Sequence, residues 1–216
     1  MKLMKIFFAV AALIAGSSTW ASVDPGTVPV CDMNSDPPQA LCRLSRPQPT
    51  ETSKIEVREF FFYGCSHCYH LHPLLSAWET TMPKDVEMFY VPAIFRDSWE
   101  PMARTYYALQ SMGMDHKLRD PLYKAWNEDN NMLFEEAQIR DFVASHGVDG
   151  AKFSAAYNSF AVQSKVVRSK QMIRSYEVDG TPTLVVDGKY KISGLQPADT
   201  IRMLKDVIDM ARKEHK

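Results

Sequence analysis

The sequence predicts an α/β fold in which a mixed layer of strands and helices is interrupted by an all-helical unit. Three observations predict it. Residues 54–63 (KIEVREFFFY) and 86–93 (VEMFYVPA) are β-branched and aromatic runs, separated by a stretch of helical period. From Trp99 to about Ser164 no strand pattern occurs, and several helical runs are punctuated by Gly113, Pro121, Gly147 and Gly150. After Gly180-Thr181-Pro182, the strand-like runs 183–186 and 189–193 are joined by Asp187-Gly188, a strong hairpin signal. Strand, helix, strand, helical unit, helix, hairpin, helix is the order of an α/β layer with a helical insertion.

The chain opens with Lys2 and Lys5, then an apolar run over 6–15, then small residues ending at Thr19-Trp20-Ala21. That is the pattern of a secretory signal peptide, and the run is too short to span a bilayer. Its removal after Ala21 would take two lysines and no acid, moving the net charge from −1 to −3. A weakly acidic chain is a poor polyanion binder, so no nucleic-acid partner is expected. Hydrophobic residues at 45% and charged residues at 24% are ordinary globular values, which argues against bulk disorder.

Residues 22–53 carry Pro25, Pro29, Pro37, Pro38, Pro47 and Pro49, so they cannot hold a long helix and read as an irregular arm. Residues 54–63 read as a buried central strand broken at Gly64. Over 65–82, Cys68, Leu71, Leu75 and Trp78 recur on one helical face, and Pro83 ends the run. Helices are expected over 102–112, 117–127, 134–146, 151–160 and 162–176. A last helix over 197–212 has Ile201, Leu204, Val207, Ile208 and Ala211 on its buried face. The domain plan is therefore a signal peptide (1–21), an arm (22–53), an α/β domain in two parts (54–96 and 165–216) and a helical insertion (97–164).

Four cysteines allow three pairings, and an exported chain can keep disulfides. Sequence neighbours suggest Cys31 with Cys42, as a structural bridge, and Cys65 with Cys68. The second pair, Cys65-Ser66-His67-Cys68, sits where a strand ends and a helix begins. There the first sulfur meets backbone N–H groups and the positive end of the helix dipole, which favour a thiolate. Cys65 is the expected nucleophile, Cys68 lies one turn inward, and His67 can add positive charge or a hydrogen bond. Three plainer readings compete. A zinc site would need His67, His70 or His72 as further ligands. A c-type haem needs histidine directly after the second cysteine, where Tyr69 stands. Two ordinary buried thiols are the third. No cofactor and no metal are expected.

The stretches EFFFYGCSHCYHLHP (59–73) and GTPTLVVDGKY (180–190), with the helical unit between them, resemble the DsbA family of the bacterial periplasm, within the thioredoxin superfamily. The resemblance covers about 54–212. It implies a thioredoxin-like fold with an inserted helical domain and a periplasmic location. It implies that Thr181–Pro182 is a cis peptide facing the disulfide, with Thr181 offering backbone groups to an extended substrate. It also implies that Glu59 is buried beneath the cysteines and accepts or delivers the proton of Cys68. Two features depart from the family pattern. Ser66-His67 replaces the usual Pro-His, and His72 stands where relatives often carry an acid. His70 and His72 are expected to be surface or capping residues. Met102, Met112, Met114 and Met132 are read as core packing, with a forgiving substrate groove as the alternative.

The activity implied is that of a thiol–disulfide oxidoreductase which donates its Cys65–Cys68 disulfide to newly exported reduced proteins. A DsbB-like, quinone-linked membrane protein would reoxidise it, and the chain is expected to be a monomer. A periplasmic isomerase or reductase of the same fold is the alternative. The 32-residue arm is too short for the dimerisation domain of known periplasmic isomerases. A chaperone using the same groove, with the cysteines incidental, is a third class.

Overall fold

The computed structural model of the chain describes residues 24–214; residues 1–21, which the sequence pattern suggests are a signal peptide, lie outside the described residues. Five strands form one sheet in the order β1-β5-β4-β2-β3. Its centre is β2 (Ile55–Phe61), buried at every residue and paired parallel to β3 (Val86–Pro92) and antiparallel to β4 (Thr183–Val186). β4 continues into β5 (Tyr190–Ser193) through Asp187 and Gly188, both with positive φ as a type I′ turn requires. A Cβ on Gly188 would lie 2.1 Å from the Gln48 carbonyl oxygen, so the turn also needs glycine for close packing.

A buried central strand is expected to be continuously apolar, yet β2 carries Glu56, Arg58 and Glu59. Side chains alternate across a strand, so Glu56 and Arg58 share one face and Glu59 takes the other. Arg58 is satisfied in place: its Nε and Nη2 donate to Glu56 Oε1 at 2.9 and 2.7 Å, and Nη2 also reaches Glu51 Oε1. Glu59 has no such partner on its own strand.

α1 (Ser66–Glu79) follows β2, and α7 (Pro197–Glu214) packs against α1 and the sheet. α1 stops at Glu79, a turn before Pro83. Between β3 and β4 lie α2 (Glu100–Ser111), α3 (Asp115–Asn127), α4 (Glu136–Ser145), α5 (Gly150–Tyr157) and α6 (Phe160–Ser175). α2 packs on α3, α5 and α6, the block shares one continuous core with the sheet, and α6 runs unbroken through residue 164. Met102 is fully buried there, Met112 and Met114 pack against the core, and Met132 is exposed, so three of the four methionines are packing residues.

The arm departs from its sequence reading. It is not wholly irregular: β1 (Leu41–Arg43) pairs antiparallel with β5 and forms the edge of the sheet. The Cys31–Cys42 disulfide is present, with the sulfurs 2.09 Å apart. Cys31 N–H donates to the Arg43 carbonyl and Arg43 N–H to the Pro29 carbonyl. The arm thus folds over the strand edge, which would otherwise offer unpaired backbone groups to other chains. In the chain-entropy account, closing so short a loop stabilises by roughly 3 kcal/mol.

Candidate active site

The site begins where β2 runs out. Cys65 N–H donates to the Phe62 carbonyl at 3.0 Å, turning the chain, and Cys65 becomes the N-cap of α1. Gly64 makes the turn possible, because a Cβ there would lie 2.5 Å from the Phe62 ring and 2.6 Å from that of Trp126. Phe62 itself stacks on Trp99, centroids 3.9 Å apart and 3° from parallel. Aromatic side chains of the helical insertion therefore brace the turn that carries the cysteine.

Cys65 and Cys68 are free thiols in this structure, the first half-buried and the second fully buried. Cys65 Sγ accepts the Cys68 backbone N–H at 3.4 Å, the usual bond of an N-cap side chain. As a thiol, Cys65 also donates to the Thr181 carbonyl oxygen at 3.2 Å. That bond favours the protonated form and is lost on ionisation. The thiolate is instead held by the Cys68 S–H, by the Thr181 side chain and by the N–H groups of Cys68 and His67. Together these overcome burial and bring the Cys65 pKa from 9.0 down to about 5. Cys68 is displaced the other way: burial, then its bond to Cys65, then the nearby charge of Glu59 push its thiol well above 9.0. Two cysteines three residues apart thus hold opposite proton affinities, which is the asymmetry a redox pair needs.

The Thr181–Pro182 bond is cis, and the contact between Cys65 Sγ and the Thr181 carbonyl places it against the reactive sulfur. Glu59 is 2% exposed, on the face of β2 beneath α1, and its Oε1 has no hydrogen-bond partner. Burial, partly opposed by Arg119 and reinforced by Glu79 and Cys65, raises its pKa from 4.5 to about 8. Of the residues expected from sequence, Cys65, Cys68, Thr181, Pro182 and Glu59 converge here. His67 contributes through its main-chain N–H, while its imidazole is exposed. The Cys31–Cys42 bridge is elsewhere: Cys42 sits on β1, three strands from β2 and roughly 14 Å away at ordinary strand spacing.

One expectation is corrected. His72 is not a surface or capping residue: it is 8% exposed, its ring stacks on Tyr123 at 5.0 Å, and its Nε2 lies 2.6 Å from Asp120 Oδ1. The helical insertion supplies both partners, which local sequence cannot reveal. Burial, partly offset by Asp120, lowers the His72 pKa. His70 is exposed, as expected. Among the described residues no cluster of three or more His, Cys, Asp or Glu is placed to hold a metal ion.

Sequence reasoning also missed Arg119, which is 3% exposed on α3 with its guanidinium 3.7 Å above the centre of the Tyr90 ring. Its signal was present: Arg119 lies beside Leu118 and three residues before Leu122, on the buried face of that helix.

Comparisons with known proteins agree with this geometry. The family described as DSBA-like thioredoxin domain matches residues 84–206, which lie downstream of the cysteine pair. The thiol:disulfide interchange protein DsbA of Burkholderia cepacia is 37% identical over 173 residues, covering 79% of this chain and 81% of that one. Its Pseudomonas aeruginosa counterpart is 35% identical over 173 residues, covering 78% and 82%. The crystal structure of Pseudomonas aeruginosa DsbA superposes with a TM-score of 0.78 at 33% identity, covering 82% of this chain and 94% of that one. That of DsbA from Xylella fastidiosa gives 0.76 at 29% identity, covering 81% and 96%. With a strand-end cysteine pair, a cis-proline loop against it and a helical insertion bracing both, the chain belongs to the DsbA family of thiol:disulfide interchange proteins.

Proposed function

We propose that this protein is a periplasmic disulfide donor in which Cys65 exchanges with substrate, Cys68 closes the disulfide and Glu59 manages the Cys68 proton. The observation that carries the reading is the placement of the two thiols: Cys65 is half-buried at the N-cap of α1 against the Thr181 carbonyl, and Cys68 is fully buried one turn inward. A substrate thiolate attacks Cys65 Sγ of the oxidised pair. The Cys65–Cys68 bond breaks and its electron pair leaves on Cys68. Cys68 is a poor buried anion, so it takes a proton as it leaves. Glu59, protonated at neutral pH with its pKa about 8, is the buried acid that gives it. The second substrate thiolate then attacks the substrate sulfur of the mixed disulfide. Cys65 departs as a thiolate, held by the N-terminus of α1, and a low-pKa thiol is the faster leaving group. Two electrons pass from substrate to enzyme, and the substrate's two thiol protons go to solvent. Thr181, beside Cys65, offers backbone groups to an extended substrate segment. A DsbB-like quinone-linked membrane protein reoxidises the pair by two exchanges in the reverse sense and accepts both electrons.

The test is direct transfer. Oxidised protein is mixed with a reduced, unfolded substrate, and the disulfides formed are counted by mass. One disulfide per enzyme is expected. Cys65→Ser should abolish the transfer, and so should Cys68→Ser, because neither variant has a disulfide at this site to give. Undiminished transfer by Cys65→Ser would overturn the assignment.

A further inference from the structure

Beneath the cysteines, three charged side chains meet that the exchange chemistry does not itself require: Arg119 and Asp115 from α3, and Glu79 from the end of α1. Arg119 Nη2 lies 3.6 Å from Asp115 Oδ2, and Nη1 lies 4.0 Å from Glu79 Oε2. Both separations are too long for a hydrogen bond. The Nε and Nη2 groups are buried without any hydrogen-bond partner, as is Glu59 Oε1. A buried guanidinium that is under-bonded by its own neighbours has unspent capacity to stabilise an anion. The Arg119 guanidinium lies over the Tyr90 ring, and Tyr90 is the register partner of Glu59 on the neighbouring strand, so Glu59 is another buried, unpartnered group beside it.

We propose that Arg119, carried by the helical insertion, is a positioning residue for the redox centre: it is the counter-charge that lets buried Glu59 exist as a carboxylate when Cys68 must give up its proton. This rests on the reading of Glu59 given above. It matters when the pair is reoxidised. Cys68 S–H then attacks the mixed disulfide on Cys65, its proton passes to the Glu59 carboxylate, the new Cys65–Cys68 bond forms, and the departing partner leaves as thiolate. Only the ionised fraction of Glu59 can take that proton.

The surroundings leave this task to Arg119. From α1, Cys65 and Glu79 raise the proton affinity of Glu59, while Arg119 opposes them. Tyr63 at the end of β2, Tyr90 on β3 and Tyr123 on α3 also face this space, and burial holds all three neutral. Tyr106 on α2 and His72 on α1 also neighbour Arg119; burial keeps Tyr106 neutral and lowers the proton affinity of His72, against the pull of Asp120. The cluster is not sealed at the back. A cavity of about 350 Å³ reaches Glu79, Tyr90 and Asp115 from the free edge of β3, and one of about 400 Å³ reaches Arg119 between α1 and α3. Glu79 stands at that border, so its charge can be altered without opening the core.

The experiment follows the pH dependence of the Cys68 step alone. Reduced protein is reacted with oxidised glutathione, the Cys65–glutathione mixed disulfide is quenched and quantified, and its conversion to the Cys65–Cys68 disulfide is timed from pH 5 to 9. Arg119→Met should raise the midpoint of that profile by about one pH unit and slow the step about tenfold below it, as expected for loss of a nearby opposite charge. Arg119→Lys should restore the midpoint. Glu79→Gln, at a partly exposed position that leaves the core intact, should move it the opposite way. If Arg119→Met and Glu79→Gln leave the midpoint in place while Glu59→Gln abolishes the profile, Arg119 is a packing residue and the inference is overturned. If Glu59→Gln also leaves the profile unchanged, the assignment of Glu59 falls and the inference with it.

Discussion

Reduced protein should be harder to unfold than oxidised protein at neutral pH, and the order should reverse in mild acid. The folded pKa of Cys65, about 5, lies below its unfolded value of 9.0. The stabilisation is therefore fully present above pH 9 and is lost as pH falls through 5. At 1.36 kcal/mol per pH unit it amounts to about 3 kcal/mol at pH 7 and about 5 kcal/mol at pH 9. Against it stands the disulfide, which restricts the unfolded chain; a four-residue ring is worth roughly 2 kcal/mol in the chain-entropy account. The thiolate wins by about 1 kcal/mol at pH 7 and loses below about pH 6.5. Cys68, held as a thiol by burial, contributes only above its unfolded pKa, where it destabilises. Denaturant midpoints of both forms at pH 5, 7 and 8.5 check this. An oxidised form that is more stable throughout would remove the driving force for donating the disulfide.

Glu59→Gln should stabilise the protein as pH rises while disabling the Cys68 proton transfer. The Glu59 pKa is raised from 4.5 to about 8, so the folded state resists a charge that the unfolded state accepts freely. The penalty is absent below pH 4.5 and grows until the folded group ionises near pH 8. At pH 7 it reaches about 3 kcal/mol. A glutamine does not titrate. The stability difference between variant and parent should therefore widen by about that amount between pH 4 and 7. The buried amide adds a pH-independent loss of about 1–3 kcal/mol for its unpaired groups. Meanwhile the steps that protonate or deprotonate Cys68 should slow on the order of 100-fold, the usual contribution of a positioned acid or base. Stability measured by denaturant across pH, together with single-turnover exchange, checks both halves. Parallel pH–stability curves for the two proteins would show that Glu59 is charged in the fold and is no proton store.

Much of this architecture is legible in the sequence because its signals are local. Asp187-Gly188 fixes a type I′ hairpin whatever surrounds it, and the apolar spacing from Cys68 to Trp78 marks the buried face of α1. The cysteine pair is legible for the same reason, since a strand–helix junction is enough to create an activated thiolate. β1 was hidden: a three-residue strand among prolines has no periodicity of its own and exists because β5 offers an unpaired edge. The deeper site was hidden by distance. Glu59 is 60 residues from Arg119, and although the buried face of α3 marks Arg119, nothing local pairs the two. His72 misled because a histidine on a helix beside His70 reads as solvent-facing, until Asp120 and Tyr123 arrive from the insertion. Ser66 in place of the usual proline leaves the N-cap intact, because the bonds that hold the Cys65 thiolate come from Cys68, Thr181 and His67 rather than from position 66.

Stabilisation of the Cys65 thiolate by this fold should make the Cys65–Cys68 disulfide strongly oxidising. Equilibration of the pair with a glutathione redox buffer at pH 7, with the two forms separated after acid quench, measures it directly. The value established for DsbA itself, about −120 mV, is the family benchmark rather than a result of this geometry, and protein disulfide isomerase lies at about −180 mV. A potential less negative than about −180 mV is expected here, whereas one near the −270 mV of thioredoxin would mark a reductant and contradict the assignment as a disulfide donor.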